Sequence, residues 1–262
     1  MESVVVGIDR VSLIHTKFWH RMEEGYLTSF YQEEIDTAYV TESLGYTRRF
    51  DELLGASMPT ANYYGRSCNT MSDLLHLMGM PYNKVYNGKN WIMINFDSDN
   101  QKFNFYTRRF FDGREVDPHD KFHVRAYTVI PKEKRNRFMI CGCAYLYGGS
   151  WLICWEDIQK RFKETVDYKK EQDWLKLYFD RYNFGVSKAR HLLVTQFINA
   201  LIIEKVEEEQ GFPAVKKLLA SGNMYKERDA FFQILEEVTG INEKNFNEEV
   251  GRLILDAMER SH

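Results

Sequence analysis

The chain has 262 residues, of which 44% are hydrophobic and 15% aromatic, enough apolar material for one large core or two modest domains. Its formal net charge of −3 argues against the positive surfaces of nucleic-acid-binding and membrane-surface proteins, so we expect neither partner. No apolar run approaches the roughly 20 residues of a membrane span. The first residues also lack the basic head and long apolar core of a signal peptide.

The first part of the chain mixes helical and strand-like patterns. Apolar residues recur at helical spacing over residues 12–35, which predicts a helix there. A short strand followed by a helix is expected within residues 61–80, and another strand within residues 101–111. Between them, Asn87-Gly88 separates two β-rich runs and predicts a hairpin turn.

From about residue 117 onward, the pattern is nearly all helical. Because β-rich sequence comes first and helical sequence second, the order favours an α+β class over a parallel α/β sheet. We expect a mixed α/β N-terminal lobe with an antiparallel sheet over residues 1–116 and a helical lobe over residues 117–262. The two lobes are expected to form one compact unit with a cleft between them.

The helical part begins at a recognisable helix start. Asp117 is a typical N-cap and Pro118 a typical first residue, and Asp120 can reach back to the cap. His119 and His123 then share one face of the helix, where two imidazoles can converge on a cation. The alternative is purely structural, with both histidines hydrogen-bonded at a capped helix start and no metal bound.

Four cysteines are present, and none forms a C-x-x-C pair of the zinc-ribbon type. Cys141 and Cys143 are too close in the chain for an easy mutual disulfide and lie in the apolar stretch FMICGCAYLYGG. Their residue type and surroundings favour buried free thiols.

Beyond these local patterns, the chain resembles a known family over about residues 60–255. The segment HDKFH is followed, after 17 intervening residues, by CGCAYLYGG. This arrangement is similar to that of the gluzincin zinc metallopeptidases, particularly bacterial proteins with a peptidase-MA-like domain. In these, H-E-x-x-H on one helix is followed by a second helix whose Glu is the third zinc ligand. The segments NYYGRSCNTMSDLLHLMG and HLLVTQFINALIIEKVEEEQGFPAVKKLLASG resemble flanking pieces of the same family.

The resemblance implies a zincin-like fold, with a mixed, mainly antiparallel sheet followed by a helical lobe, and a zinc site. His119 and His123 would be ligands, and Cys141 would stand where the family has its Glu ligand. Asp120 would replace the Glu that acts as general base. His191 matches a downstream aromatic position, often Tyr, and could polarise a substrate carbonyl. The alternative for His191 is a solvent-exposed residue near the start of a helix.

The resemblance also implies a function. We expect a zinc-dependent hydrolase that cleaves peptide bonds with metal-activated water, so that its partner is a peptide or protein substrate. Because the departures from the family pattern fall on chemical positions, the alternative is an inactive peptidase homologue that binds a peptide or protein. The family resemblance further suggests an exported protein whose signal has been trimmed.

Overall fold

The chain divides into two compact units, one formed by residues 1–45 and 57–116 and the other by residues 46–56 and 117–262. The computed structural model describes residues 19–24, 27–31, 37–56, 62–68, 70–77, 92–97, 102–108, 118–150, 153–170, 173–180 and 194–260. The second unit therefore includes a short segment, 46–56, that precedes much of the first unit in the sequence.

The first unit contains a five-stranded sheet. Its strands are β1 (His20–Glu24), β2 (Leu27–Tyr31), β3 (Asn62–Cys68), β4 (Ile92–Asp97) and β5 (Lys102–Arg108), arranged in the order β1-β2-β3-β5-β4. The outer pairs β1–β2 and β4–β5 are antiparallel, whereas the inner pairs β2–β3 and β3–β5 are parallel. Two helices belong to this part of the sequence, α1 (Thr37–Leu54) and α2 (Met71–Leu77), and the end of α1 lies in the second unit.

The second unit is helical. After α1, its described helices are α3 (Pro118–Val129), α4 (Arg137–Gly148), α5 (Trp155–Thr165), α6 (Trp174–Phe179), α7 (Val194–Gln210), α8 (Phe212–Leu219), α9 (Arg228–Thr239) and α10 (Phe246–Arg260). Every residue from Val194 to Ile203 is buried, so the first ten residues of α7 form the centre of the unit. Helix α7 packs against α4, α6, α8, α9 and α10. None of the helices in the described segments has the length and apolar character needed to cross a membrane.

The predicted fold class, α+β and zincin-like with a mainly antiparallel sheet, is wrong. Helices account for most of the described residues, and two of the four strand pairings are parallel. The prediction overlooked α1, which lies between β2 and β3. Parallel strands need a long connection of this kind, usually helical, whereas antiparallel neighbours need only a turn.

The predicted helix over residues 12–35 is also wrong, because β1 and β2 lie within it. The overlooked signal is Gly25, a common turn residue that separates two short runs in the sequence. The predicted strand and helix within residues 61–80 are confirmed by β3 and α2, and the strand within 101–111 by β5. The predicted turn at Asn87-Gly88 lies outside the described residues.

A buried ion pair joins the end of α1 to α3 within the second unit. The Asp51 carboxylate accepts a hydrogen bond from Nε of Arg125, and their side chains are only 7% and 2% exposed. Next to this pair, the rings of Phe50 and Phe122 meet edge to face with centroids 5.2 Å apart. Because neither charge is exposed to bulk water, each depends on the other for its solvation.

Replacing Asp51 with Ala should therefore destabilise the second unit by about 3–5 kcal/mol, since it leaves the Arg125 charge buried without its carboxylate. Urea unfolding monitored by tryptophan fluorescence measures this, because Trp155 and Trp174 both lie in the core of the second unit. The control is Glu237→Ala, which breaks an exposed pair with Lys217 and should cost less than about 1 kcal/mol. Equal effects of the two substitutions would contradict the role of the buried pair.

Candidate metal centre

Helix α3 presents two histidines on one face. It begins at Pro118, as the sequence predicts, while Asp117 lies outside the described residues. His119 and His123 are one turn apart, so their rings approach each other with centroids separated by 4.8 Å. Their Nε2 atoms are 3.1 Å apart.

Helix α4 brings a thiol to the same place. The Asn136 side chain caps this helix by accepting hydrogen bonds from the amides of Phe138 and Met139. One turn into the helix, the Cys141 Sγ atom lies 3.7 Å from Nε2 of His119. The potential ligand atoms of His119, His123 and Cys141 all lie within 4.8 Å of one another, and the three side chains could hold a metal ion. The predicted convergence of these side chains is confirmed.

Two glycines at the end of α4 fix the first histidine. Gly149 has φ of +70°, a conformation that strongly favours glycine, and its carbonyl accepts a hydrogen bond of 2.7 Å from Nδ1 of His119. Gly148 lies against the start of α3, where an added Cβ would come within 3.0 Å of the His119 backbone. The absence of side chains at these positions thus lets the end of α4 reach the histidine.

The hydrogen bond to Gly149 determines which His119 nitrogen is available. A carbonyl oxygen only accepts, so Nδ1 carries the proton and the Nε2 lone pair of the neutral ring faces His123 and Cys141. Without a metal, an N–H of His123 and the S–H of Cys141 compete for this one lone pair. A cation would instead be coordinated by all three atoms at once.

Burial keeps the three groups uncharged. It lowers the pKa of His119 and, together with the repulsion that a protonated His119 and Arg137 exert on a second positive charge, lowers that of His123 to about 3. Burial also raises the pKa of the Cys141 thiol to about 12, and the carboxylate of Asp120 adds to this effect. At neutral pH, both imidazoles are therefore uncharged, and the thiol keeps its proton until something replaces it.

These protonation states argue against a cysteine nucleophile at this position. Catalytic cysteines have a lowered pKa and are activated as thiolates beside a protonated histidine or another cation. Here the thiol pKa is raised, and the imidazole next to it is kept neutral. Metal coordination is different, because a metal ion itself displaces the thiol proton.

Two of the three distances between the potential ligand atoms are close to those of a tetrahedral metal site, and all three are at most 4.8 Å. With metal–nitrogen bonds of about 2.0–2.1 Å and a metal–sulfur bond of about 2.3 Å, two nitrogens lie about 3.3 Å apart and a nitrogen and sulfur about 3.6 Å apart. The observed separations are 3.1 Å and 3.7 Å. The bond from Nδ1 to the Gly149 carbonyl is also of the kind that orients metal-binding histidines.

No protein-family model matches the sequence, and no curated protein is significantly similar to it. The interpretation of the centre therefore depends on its geometry and on its residue types.

The other predicted site residues are placed differently. Asp120 lies in the first turn of α3 and is close enough to Cys141 to influence its pKa. Cys143 is fully buried in the core and is not part of the cluster, as its offset of two residues from Cys141 leads one to expect. All four cysteines are free thiols. His191 lies outside the described residues.

Sequence reasoning missed three residues that extend the centre along both helices. On α3, Tyr127 follows His123 by one turn, and their rings are 5.6 Å apart. On α4, Arg137 precedes Cys141 by one turn, and Tyr145 follows it with its ring 5.4 Å from that of His119. The sequence contains a signal for them, because Tyr127 lies four residues after His123, and Arg137 and Tyr145 lie four residues before and after Cys141.

We expect Gly148→Ala to weaken metal binding at least about tenfold, the scale seen when groups that orient a metal-binding histidine are disturbed. The added methyl group would push the end of α4 away from the backbone of His119. Titration with Zn²⁺ in competition with a chromogenic chelator measures the affinity. Gly45→Ala is the matched control, because nothing lies within 4 Å of its added Cβ. Identical affinities for the two variants would contradict this role of Gly148.

Proposed function

We propose that this protein binds zinc through His119, His123 and Cys141 and is a metallopeptidase-like protein that hydrolyses peptide bonds. The observation that carries the proposal is the convergence of two imidazole nitrogens and one sulfur within 4.8 Å of one another, with the two distances from His119 close to those around a tetrahedral metal. The resemblance of HDKFH and CGCAYLYGG to the two site helices of gluzincins supports the same conclusion.

Zinc is the metal that this set of ligands favours. Imidazole and thiolate together suit zinc, whereas magnesium and calcium prefer oxygen ligands. Copper also binds two histidines and a cysteine, in trigonal sites with a weak axial ligand. Among the described residues, three potential ligands converge and leave a fourth position open, which is the arrangement of catalytic rather than structural zinc sites.

In this proposal, each residue has a separate task. A bound zinc ion would supply Lewis acidity and make water a nucleophile at neutral pH. Asp120 follows the first ligand directly and would accept the proton of the attacking water as general base. His191 keeps its predicted role of polarising the substrate carbonyl.

A second candidate is a protein that binds peptides at this centre without cleaving them. Two features favour it. Asp120 is one methylene shorter than the Glu expected there, and a misplacement near 1 Å can cost about 100-fold in rate. Cys141 would also give the metal more negative charge than a carboxylate does, which would make a water molecule on it less acidic.

Protein purified without added zinc should contain close to one zinc per chain, measured by elemental analysis. Cys141→Ser and His123→Ala should lose most of this metal, because each removes one of three ligands. The matched controls are Cys154→Ser and His76→Ala, which change an exposed cysteine and an exposed histidine outside the cluster. Zinc absent from every preparation, or unaffected by Cys141→Ser, would eliminate the proposed site.

We expect Asp120→Asn to retain zinc but to lower peptide hydrolysis at least about 100-fold, the lower range of general-base contributions. A mixed peptide library, analysed by mass spectrometry, measures the turnover. Asp229→Asn is the control, because Asp229 is an exposed aspartate in the first turn of a different helix, α9. Turnover that Asp120→Asn leaves intact would remove the base role, and zinc without any turnover would favour the peptide-binding candidate.

A further inference from the structure

The proposed zinc ligands form the middle of a longer contact between two antiparallel helices. His119, at the start of α3, meets the end of α4 through Gly149 and Tyr145. At the other end of the contact, the antiparallel register that sets His119 against Tyr145 and Cys141 sets Tyr127 of α3 against Arg137, the first residue of α4. Tyr127, Arg137 and Tyr145 each lie one turn from a proposed ligand, on the same face of the helix as that ligand.

The neighbouring Arg135 already has a structural task. Its Nε donates to the carbonyl of Ile130 and a second nitrogen donates to that of Tyr127, so it satisfies backbone oxygens at the end of α3. Its guanidinium carbon lies 4.9 Å from the centroid of the Tyr127 ring. Arg135 therefore holds Tyr127 in place.

Arg137 has no comparable task. Its side chain is exposed at the surface, and no carboxylate of the described residues forms an ion pair with it. Its charge nevertheless acts on the centre, because it helps burial and His119 to lower the pKa of His123. A guanidinium next to a tyrosine hydroxyl presents several donors toward one point, which suits a carboxylate.

The segment that carries Arg137 is positive in a chain whose net charge is negative. Residues 132–137 contain four basic side chains and one acidic one, whereas the whole chain has a formal net charge of −3. Most of these basic side chains are exposed. A local field of this sign draws negatively charged groups to the Arg137 end of the helix pair.

We infer that Tyr127 and Arg137 bind the C-terminal carboxylate of a peptide substrate. The inference rests on the proposed function and narrows it, because it makes the protein a peptidase that removes residues from the C-terminal end. One helical turn separates this pair from the proposed ligands, about 6 Å along the axis. A peptide residue spans about 3.3–3.6 Å, so the carboxylate lies one or two residues beyond the bond that is cleaved.

The test compares peptides that differ only at this carboxylate. N-acetylated tripeptides with apolar, acidic and basic C-terminal side chains are prepared as free acids and as carboxamides. Binding to the zinc-free and zinc-loaded protein is measured by calorimetry, and cleavage of the same peptides by mass spectrometry. The free acids should bind roughly 10- to 100-fold more tightly, the scale of a hydrogen bond to a charged group.

Arg137→Gln should abolish this preference while zinc content stays unchanged, Arg137→Lys should keep part of it, and Tyr127→Phe should weaken it. Lys132→Gln removes the same charge from an exposed position in the same segment and should leave the preference intact. Equal binding of acids and carboxamides, or a preference that survives Arg137→Gln, overturns the inference without affecting zinc binding or hydrolysis. Loss of zinc binding alone would defeat the proposed function instead, because the acid preference is also measured on zinc-free protein.

Discussion

The hydrogen bond from His119 to the Gly149 carbonyl is the interaction on which the rest of the centre depends. It fixes the tautomer of the ring and turns the Nε2 lone pair toward His123 and Cys141. That bond exists because the end of α4 approaches the start of α3 closely, which Gly148 permits. A backbone contact between two helices thus determines the direction of a side-chain lone pair.

Burial supplies the second constraint. It keeps both imidazoles neutral and the thiol protonated, so the cluster has no charge of its own in the absence of a metal. Neutral imidazoles are ready to bind a cation, and the thiol can become a thiolate only when a metal takes the place of its proton. The same burial disfavours the Cys141 thiolate unless a metal is bound. The cluster is therefore better suited to metal binding than to catalysis by a cysteine nucleophile.

The sequence predicted the centre better than it predicted the fold. The helix start at Pro118 and the shared face of His119 and His123 follow from spacing, because helical geometry is local, whereas the approach of Cys141 was expected only from the family resemblance. The strand pairing did not follow, because it depends on α1 and on contacts distant in the sequence, and the mainly antiparallel sheet was wrong. The ion pair of Asp51 and Arg125 was equally invisible, since no local pattern links residues that far apart. His191 lies outside the described residues, so its role stays a prediction.

X-ray absorption at the zinc edge of the zinc-loaded protein tests the proposed centre most directly. A zinc ion held by His119, His123 and Cys141 should have one sulfur neighbour at about 2.3 Å and two imidazole nitrogens at about 2.0–2.1 Å, with the sulfur signal lost in Cys141→Ser. A shell made only of nitrogen and oxygen, or a sulfur signal unchanged by that substitution, would contradict the proposed centre.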